Sequence, residues 1–301
     1  MQLIWIVCDS KHMRYGAHCA TLPSAAEIFE MGETLKSIDL FGSARAAAVH
    51  TVITDIDDTI TTDGLLTAAA YSALEQLRLN GLRVVVTTGR PAGWCDHIAR
   101  MWPVDAVVGE NGGCCYWYDR QARKLGVRHS LGPEALHTNR ERLNAVAKQV
   151  LLEVPGTALA SDQFCRLYDV AIDFCEDVPR VSDDGVQRIV ALMESAGMTA
   201  KVSSIHVNGW FGSYDKLSMS REVMRDLFDV DLDRDREHFI YAGDSPNDAP
   251  MFAHFPNSVG VANVRDFAGR MDALPQFVTR SRSGAGFTEL VASLIALRRS
   301  E

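Results

Sequence analysis

Residues 51–59 read Thr51-Val52-Ile53-Thr54-Asp55-Ile56-Asp57-Asp58-Thr59. The run begins with β-branched and apolar residues, which is typical of a buried strand in a parallel sheet. Asp55 and Asp57 then stand where that strand would end, and ligands of open α/β sheets bind at the carboxyl ends of strands. Two carboxylates there repel each other unless a cation lies between them, so the pattern predicts a divalent metal bound through oxygen. Such a pair can supply a nucleophile and a proton donor, as phosphoryl transfer requires.

The residues after this run alternate between strand-like and helix-like segments. Strands are predicted over 49–55, 83–88 and 105–109, with helices over 67–80 and 91–101 between them. Thr67 is a favoured N-cap, Gly81 a favoured stop, and Pro91 suits the first turn of a helix. This βαβαβ order predicts an α/β fold with a Rossmann-like, doubly wound parallel sheet. The same rhythm returns with a helix over 216–228 and strands near 238–243 and 257–261.

The rhythm is different between residues 114 and 208. Paired strands, a long helix over 133–153, and further strands and a helix predict a separate α/β cap inserted at 114–208. The catalytic core is then expected to comprise residues 24–113 and 209–301. Residues 1–23 carry no pattern that indicates chemistry, and they are interpreted as an N-terminal extension that need not be ordered.

The composition is that of a globular protein and excludes several partner classes. The chain has 301 residues, is 47% hydrophobic and 23% charged, and has a formal net charge of −9. This charge, with no long basic run, argues against nucleic acid and anionic membranes. No apolar run approaches the roughly 18 residues of a membrane span. Seven cysteines without a CxxC pair indicate reduced thiols and a cytoplasmic protein. The protein is expected to be a monomer or a homodimer.

Four polar motifs follow predicted strands or open helices of the core. They are Asp55-Ile56-Asp57-Asp58-Thr59, Thr87-Thr88-Gly89-Arg90-Pro91, Lys216, and Gly243-Asp244-Ser245-Pro246-Asn247-Asp248. In this order they resemble the motifs of the haloacid dehalogenase superfamily of phosphohydrolases. Glu110-Asn111-Gly112-Gly113 and the position of the cap are similar to subclass IIB, which includes Cof-type sugar phosphatases and archaeal phosphoglycolate phosphatase. The resemblance extends over about residues 45–299.

The resemblance implies a role for each motif residue. Asp55 would be the nucleophile that forms an aspartyl-phosphate, and Asp57 the general acid and then the base. Mg²⁺ would be bound by the Asp55 carboxylate, the Asp57 backbone carbonyl and Asp244. Thr88 and Lys216 would bind the phosphoryl oxygens, whose negative charge needs such donors.

Other residues of the motifs would support this site. Asn247 and Asp248 would hold the metal site and the lysine in place. The chain departs from the family at two positions: Asp58 replaces the glycine of the commoner DxDGT form, and Leu217 follows Lys216 where glycine is frequent. Asp58 is expected to be a capping or supporting residue.

Several residues are candidates for substrate contact, although each has a plausible structural role. In the core they are Gly89, Arg90 and Asn111, and in the cap they are Arg166, His206 and Asn208. The sequence therefore predicts an Mg²⁺-dependent phosphatase acting on a small phosphorylated metabolite, either a sugar phosphate or a phosphoglycolate-like acid. Two alternatives remain open: a phosphomutase or phosphotransferase of the same fold, and a non-catalytic protein that binds such metabolites.

Overall fold

The computed structural model of the chain describes residues 35–299, so the predicted N-terminal extension lies outside the described residues. The strands are β1 Lys36–Ser37, β2 Thr51–Asp55, β3 Arg83–Thr87, β4 Ala106–Gly109, β5 Cys114–Asp119, β6 Lys124–His129, β7 Ala158–Leu159, β8 Asp169–Asp173, β9 Thr199–Val202, β10 His206–Trp210, β11 Phe239–Gly243, β12 Ser258–Gly260 and β13 Phe277–Val278. The α-helices are α1 Ser43–Ala48, α2 Ala68–Leu79, α3 Ala92–Met101, α4 Pro133–Glu153, α5 Asp183–Ser195, α6 Lys216–Phe228, α7 Ala249–His254 and α8 Ser283–Arg298.

Two sheets organise the described chain. The large sheet has the order β1-β13-β12-β11-β2-β3-β4-β5-β6, and the pairs from β1 to β4 are parallel. The small sheet has the order β7-β8-β10-β9 and is antiparallel throughout. The predicted α/β fold with a doubly wound parallel sheet is confirmed.

Helices cover both faces of the large sheet, because its central strands are apolar on both sides. On one face Val52 and Val86 pack with Leu74 of α2 and Leu290 of α8. On the other face the core includes apolar residues of α6 and α7 packed against alternate strand residues. A strand with both faces buried cannot show an alternating pattern, which explains the continuous apolar runs.

The predicted cap begins at residue 114, but the first two strands after that point belong to the large sheet. Strands β5 and β6 continue the large sheet: β5 pairs antiparallel with β4 through Val108 and Cys115, and β6 pairs with β5. The segment outside the large sheet, called the cap below, therefore begins after His129 and extends to Trp210 at the end of β10. Helices α4 and α5 pack on the small sheet through a separate apolar core that includes Val146, Ile172 and Ile189.

Glu110 joins the two parts of the molecule. This residue follows β4, is fully buried, and its carboxylate accepts backbone N–H groups from Ala92 of the core and from Leu167, Tyr168 and Asp169 at the start of β8. These bonds measure 2.6–3.0 Å. One carboxylate therefore satisfies donors that would otherwise be buried without partners.

Replacing Glu110 by glutamine is expected to destabilise the protein by about 2–4 kcal/mol, because the amide NH₂ would face backbone donors and leave at least one unpaired. The measurement is the free energy of unfolding in urea. Glu75→Gln, at an exposed position of α2, is the matched control and should change that free energy by less than about 0.5 kcal/mol. Equal stability of the two variants would contradict the anchoring role of Glu110.

Candidate active site

The predicted motifs meet at the carboxyl edge of the large sheet. Strand β2 lies between β3 and β11, with Asp55 paired to Thr87 and Thr54 paired to Ala242. Thr88 and Asp244 directly follow the ends of those neighbouring strands. Three motifs far apart in sequence are thereby brought to one point of the fold.

Lys216 connects the first and last motifs. Its ammonium group donates to Asp55 Oδ1 at 2.6 Å and to Asp248 Oδ1 at 2.8 Å, and all three side chains are buried. Burial alone would lower the pKa of Lys216, but the attraction of Asp248 and then Asp55 outweighs it, so the net shift is upward. The lysine therefore remains a cation inside the site.

Backbone packing determines where Lys216 and Asp248 lie. Gly112 has a φ of +105°, and a β-carbon there would be 2.1 Å from the carbonyl oxygen of Asp215, which precedes the lysine. At Gly243 a β-carbon would be 2.4 Å from Asp248 Oδ2. Both positions therefore require glycine.

The carboxylate of Asp248 is fully engaged. Its Oδ1 accepts from Lys216 and from the Tyr241 hydroxyl at 2.5 Å, and its Oδ2 accepts the backbone N–H groups of Asp244 and Ser245. Asp248 therefore orients the lysine and the turn after β11.

A cation could be held by a buried acidic cluster. Oxygens of Asp55, Asp244 and Asp248 lie within 4.8 Å of one another. Asp244 is oriented by Thr59, which donates to its Oδ1 at 3.2 Å, and by Asn263, which donates to its Oδ2 at 3.0 Å. Since Asp248 is engaged with other donors, Asp55 and Asp244 are the two carboxylates best placed to bind a metal.

The chemistry of this cluster fits Mg²⁺. Carboxylate oxygens are the ligands that this ion prefers, usually one or two of them together with water and substrate phosphate. Burial raises the pKa of Asp55 and of Asp244 well above the ordinary range, although Lys216 opposes the rise at Asp55. A divalent cation would offset the cost of keeping both side chains ionised.

Asp57 lies beside a second cation, Arg90. The guanidinium donates from Nε to Asp57 Oδ1 at 2.9 Å, and its Nη2 lies at the same distance from that oxygen. Thr88 donates from its hydroxyl to Asp57 Oδ2 at 3.4 Å and accepts the backbone N–H of Arg90 at 2.9 Å. Thr88 and Arg90 of the second motif thus orient Asp57, the second aspartate of the first motif.

Three residues of the cap contribute to the group of charged side chains around Arg90. Glu176, which follows β8, accepts from Arg90 Nη2 at 2.7 Å and from Nη1 at 3.3 Å. Asp162 lies 3.5 Å from Arg90 Nη1, and His206 Nε2 lies 2.9 Å from Glu176 Oε2. Contact with His206 and the ion pair with Arg90 lower the pKa of Glu176 to about 2.

The cap and core enclose a cavity of about 10 Å³ over Asp55 and Asp57. It is also lined by Gly89, Arg90, Ser203, Ser204, Ile205, His206, Asn208, Ser245 and Asn247. Predicted contact residues from the core and from the cap therefore face one space. In this closed arrangement the space is no larger than one water molecule needs.

Two predicted contact residues lie elsewhere. Arg166 is fully buried and donates to Asp162, Asp169 and the Gly89 carbonyl, so it is part of the joint between cap and core and does not line the cavity. Its guanidinium faces these groups and not the cavity, although Nη2, which lies 3.0 Å from Asp162 Oδ1, makes no hydrogen bond within residues 35–299. Asn111 is buried behind Gly89, and its Nδ2 has no hydrogen-bond partner within residues 35–299.

Asp58 adopts a left-handed backbone conformation with φ of +54°. This explains why glycine is common at the position, since glycine adopts that conformation without steric cost and aspartate is one of the few other residues that does so routinely. Its carbonyl accepts from Asn263, as a supporting residue would.

Sequence reasoning missed several members of the site. Asn263 follows β12, and its place after a strand end was an available signal. Tyr241 and Thr59 lie in the motifs or their strands, but nothing local shows that they bond Asp248 and Asp244. Glu176 and Asp162 are brought to Arg90 by the orientation of the cap.

The comparisons with known proteins agree with this geometry. Residues 52–159 match the family described as haloacid dehalogenase-like hydrolase. No curated protein is significantly similar to the chain in sequence. Within residues 35–299, no helix has the length and apolar character needed to cross a membrane.

Solved structures share the fold over most of the chain. Thermoplasma acidophilum protein 0175 has a TM-score of 0.61 at 18% identity, covering 82% of this chain and 98% of its own. A putative HAD/COF-like hydrolase from Plasmodium vivax has a TM-score of 0.61 at 15% identity, covering 85% and 98%. The sucrose-phosphatase of Synechocystis sp. PCC6803 has a TM-score of 0.56 at 15% identity, covering 81% and 97%. Over residues 52–159 the chain is thus similar to haloacid dehalogenase-like hydrolases, and over most of its length it shares the fold of these solved structures.

Proposed function

We propose that the protein is an Mg²⁺-dependent phosphomonoester hydrolase that works through an aspartyl-phosphate on Asp55. The observation that carries the proposal is the arrangement around this side chain. Asp55 lies beside Lys216 at 2.6 Å and in a cluster with Asp244, and it lines the same cavity as the Asp57–Arg90 pair. These are the nucleophile, charge-stabilising cation, metal ligands and proton donor that phosphoryl transfer needs.

The residues divide the reaction between them. Asp55 attacks phosphorus, while Lys216 and Thr88 bind the phosphoryl oxygens and stabilise the charge that develops there. Asp57 gives its proton to the leaving oxygen and then removes one from the water that hydrolyses the aspartyl-phosphate. Mg²⁺ bound by Asp55 and Asp244 would supply further charge neutralisation when present.

The cap controls access to this site. Because the closed cavity holds no more than a water molecule, substrate has to enter with the cap displaced, and the cap then excludes bulk water.

The substrate class is a small phosphorylated metabolite, a sugar phosphate or a phosphorylated acid. The similarity of this fold to that of a sucrose-phosphatase supports a sugar phosphate as the substrate. The described cysteines are free thiols, which supports a cytoplasmic location.

The test is release of inorganic phosphate from about a hundred phosphorylated metabolites, each with Mg²⁺ and with EDTA. We expect hydrolysis of a narrow group and at least a hundredfold loss in EDTA, restored by added Mg²⁺. Hydrolysis unaffected by EDTA would contradict the metal assignment. Conversion of a phosphorylated sugar to an isomer without phosphate release would favour the phosphomutase alternative, and binding without turnover would favour the non-catalytic one.

A further inference from the structure

The charge of the cavity wall bears on which leaving groups the site accepts. In the described part of the chain, Arg90 is the one arginine or lysine that lines the cavity. A leaving group that carries a carboxylate would need such a cation, because an unpaired charge is costly to bury. Whether Arg90 is available therefore determines which substrates fit.

The guanidinium of Arg90 is already shared among three carboxylates. Asp57 of the core accepts at 2.9 Å, Glu176 of the cap accepts two bonds at 2.7 and 3.3 Å, and Asp162 lies at 3.5 Å. One face of the group lies over the ring of Trp94, with 4.7 Å to the centroid. No edge of the cation is left for an anion on the substrate.

Glu176 is held in this position by its own loop. The buried carboxylate of Asp173, at the end of β8, accepts the backbone N–H groups of Cys175, Glu176 and Asp177 at 2.8–2.9 Å. His206 contacts the second oxygen of Glu176. The contact with Arg90 is therefore built by the fold of the cap.

The surroundings of Arg90 are net acidic as well. Arg166 is the neighbouring buried arginine, and its charge is used by Asp162 and Asp169. Two guanidinium groups are thus matched by the three carboxylates of Asp162, Asp169 and Glu176, in addition to Asp57, which carries a proton when it acts as the general acid. A second anionic group on the substrate would be repelled here.

We propose that Glu176 is a specificity-determining residue: by neutralising Arg90 when the cap is closed, it excludes leaving groups that carry a carboxylate or a second phosphate. The site is left to neutral, hydroxyl-bearing phosphomonoesters. This inference rests on the proposed function and chooses between the two substrate classes that it leaves open.

The experiment compares neutral and carboxylate-bearing substrates in wild type and in Glu176→Gln. Sorbitol phosphate and phosphogluconate make a matched pair, since they share a six-carbon chain and differ in a hydroxymethyl or carboxylate end. Wild type should favour neutral members of the metabolite panel, and Glu176→Gln should shift the kcat/KM ratio toward the acid about tenfold. Glu176→Asp should keep the wild-type ratio. Glu222→Gln, which removes an acid paired with Arg128 on the core surface, should leave it unchanged.

Two outcomes would overturn the inference: a phosphorylated acid as the best wild-type substrate, or a Glu176→Gln ratio within twofold of wild type. If Glu176→Gln does not fold, Asp162→Asn removes another carboxylate from the same guanidinium and should shift the ratio in the same direction. Binding of both probes is also measured in Asp55→Asn. A wild type without turnover, combined with the expected shift in binding, would reject the proposed function and retain the role of Glu176. Binding of neither probe would reject that role.

Discussion

Asp55→Asn is expected to lower kcat by a factor on the order of 10⁴ or more, with the protein still folded. The amide cannot attack phosphorus, so the covalent route is lost and only positioning and charge stabilisation remain. Folding should survive, because asparagine has nearly the same shape and Lys216 keeps its bond to Asp248. The measurement is steady-state phosphate release, with the melting temperature as the check on folding.

The matched control lies three residues away. Asp58→Asn removes a carboxylate from the same loop, and asparagine also tolerates the left-handed conformation found there. This variant should retain activity within about tenfold, since Asp58 has no proposed chemical step. If Asp55→Asn and Asp58→Asn were equally active, Asp55 would not be the nucleophile.

Lys216→Met is the second substitution with a large expected effect. It leaves the buried carboxylates of Asp55 and Asp248 without their shared cation, which should cost about 3–5 kcal/mol of stability in metal-free protein. Activity should fall by a factor on the order of 10³, because the phosphoryl oxygens lose a positive charge. Urea unfolding in EDTA and phosphate release in Mg²⁺ measure the two effects.

A double substitution separates these effects. Lys216→Met with Asp248→Asn removes one of the stranded carboxylates and should recover part of the stability, while activity stays low. Lys148→Met, at an exposed position of α4, is the control for loss of a lysine and should change neither stability nor activity. Full activity in the double variant would show that Lys216 serves folding alone.

The sequence was sufficient to predict that the motifs meet, because their positions depend on local features. Asp55 ends an apolar strand, Thr88 and Asp244 each follow one, and parallel strands bring their carboxyl ends to one edge. Lys216 opens a helix whose bounds match the prediction of 216–228. Helix α4 likewise spans the predicted 133–153, since its apolar residues recur with the helical period.

What could not be predicted depends on contacts between distant segments. Strands β5 and β6 were placed in the cap because a hairpin has the same local pattern whichever sheet it joins, and its pairing with β4 is decided by the fold. The contact between Glu176 and Arg90 requires the orientation of the cap, which no spacing encodes. For Arg166 the sequence predicts a substrate contact, whereas the burial of its side chain depends on how the cap packs on the core, which no local pattern shows.

The most direct test of the central claim is to trap the phosphorylated enzyme. Asp57→Asn should slow hydrolysis of the intermediate, so that protein quenched during turnover of a substrate from the panel carries a covalent phosphate. Borohydride reduction of an aspartyl-phosphate yields homoserine, which mass spectrometry locates by residue. The account predicts homoserine at position 55 and its absence when Asp55→Asn is added. Phosphate release by wild type with no label at Asp55, or with label on another side chain, would contradict it.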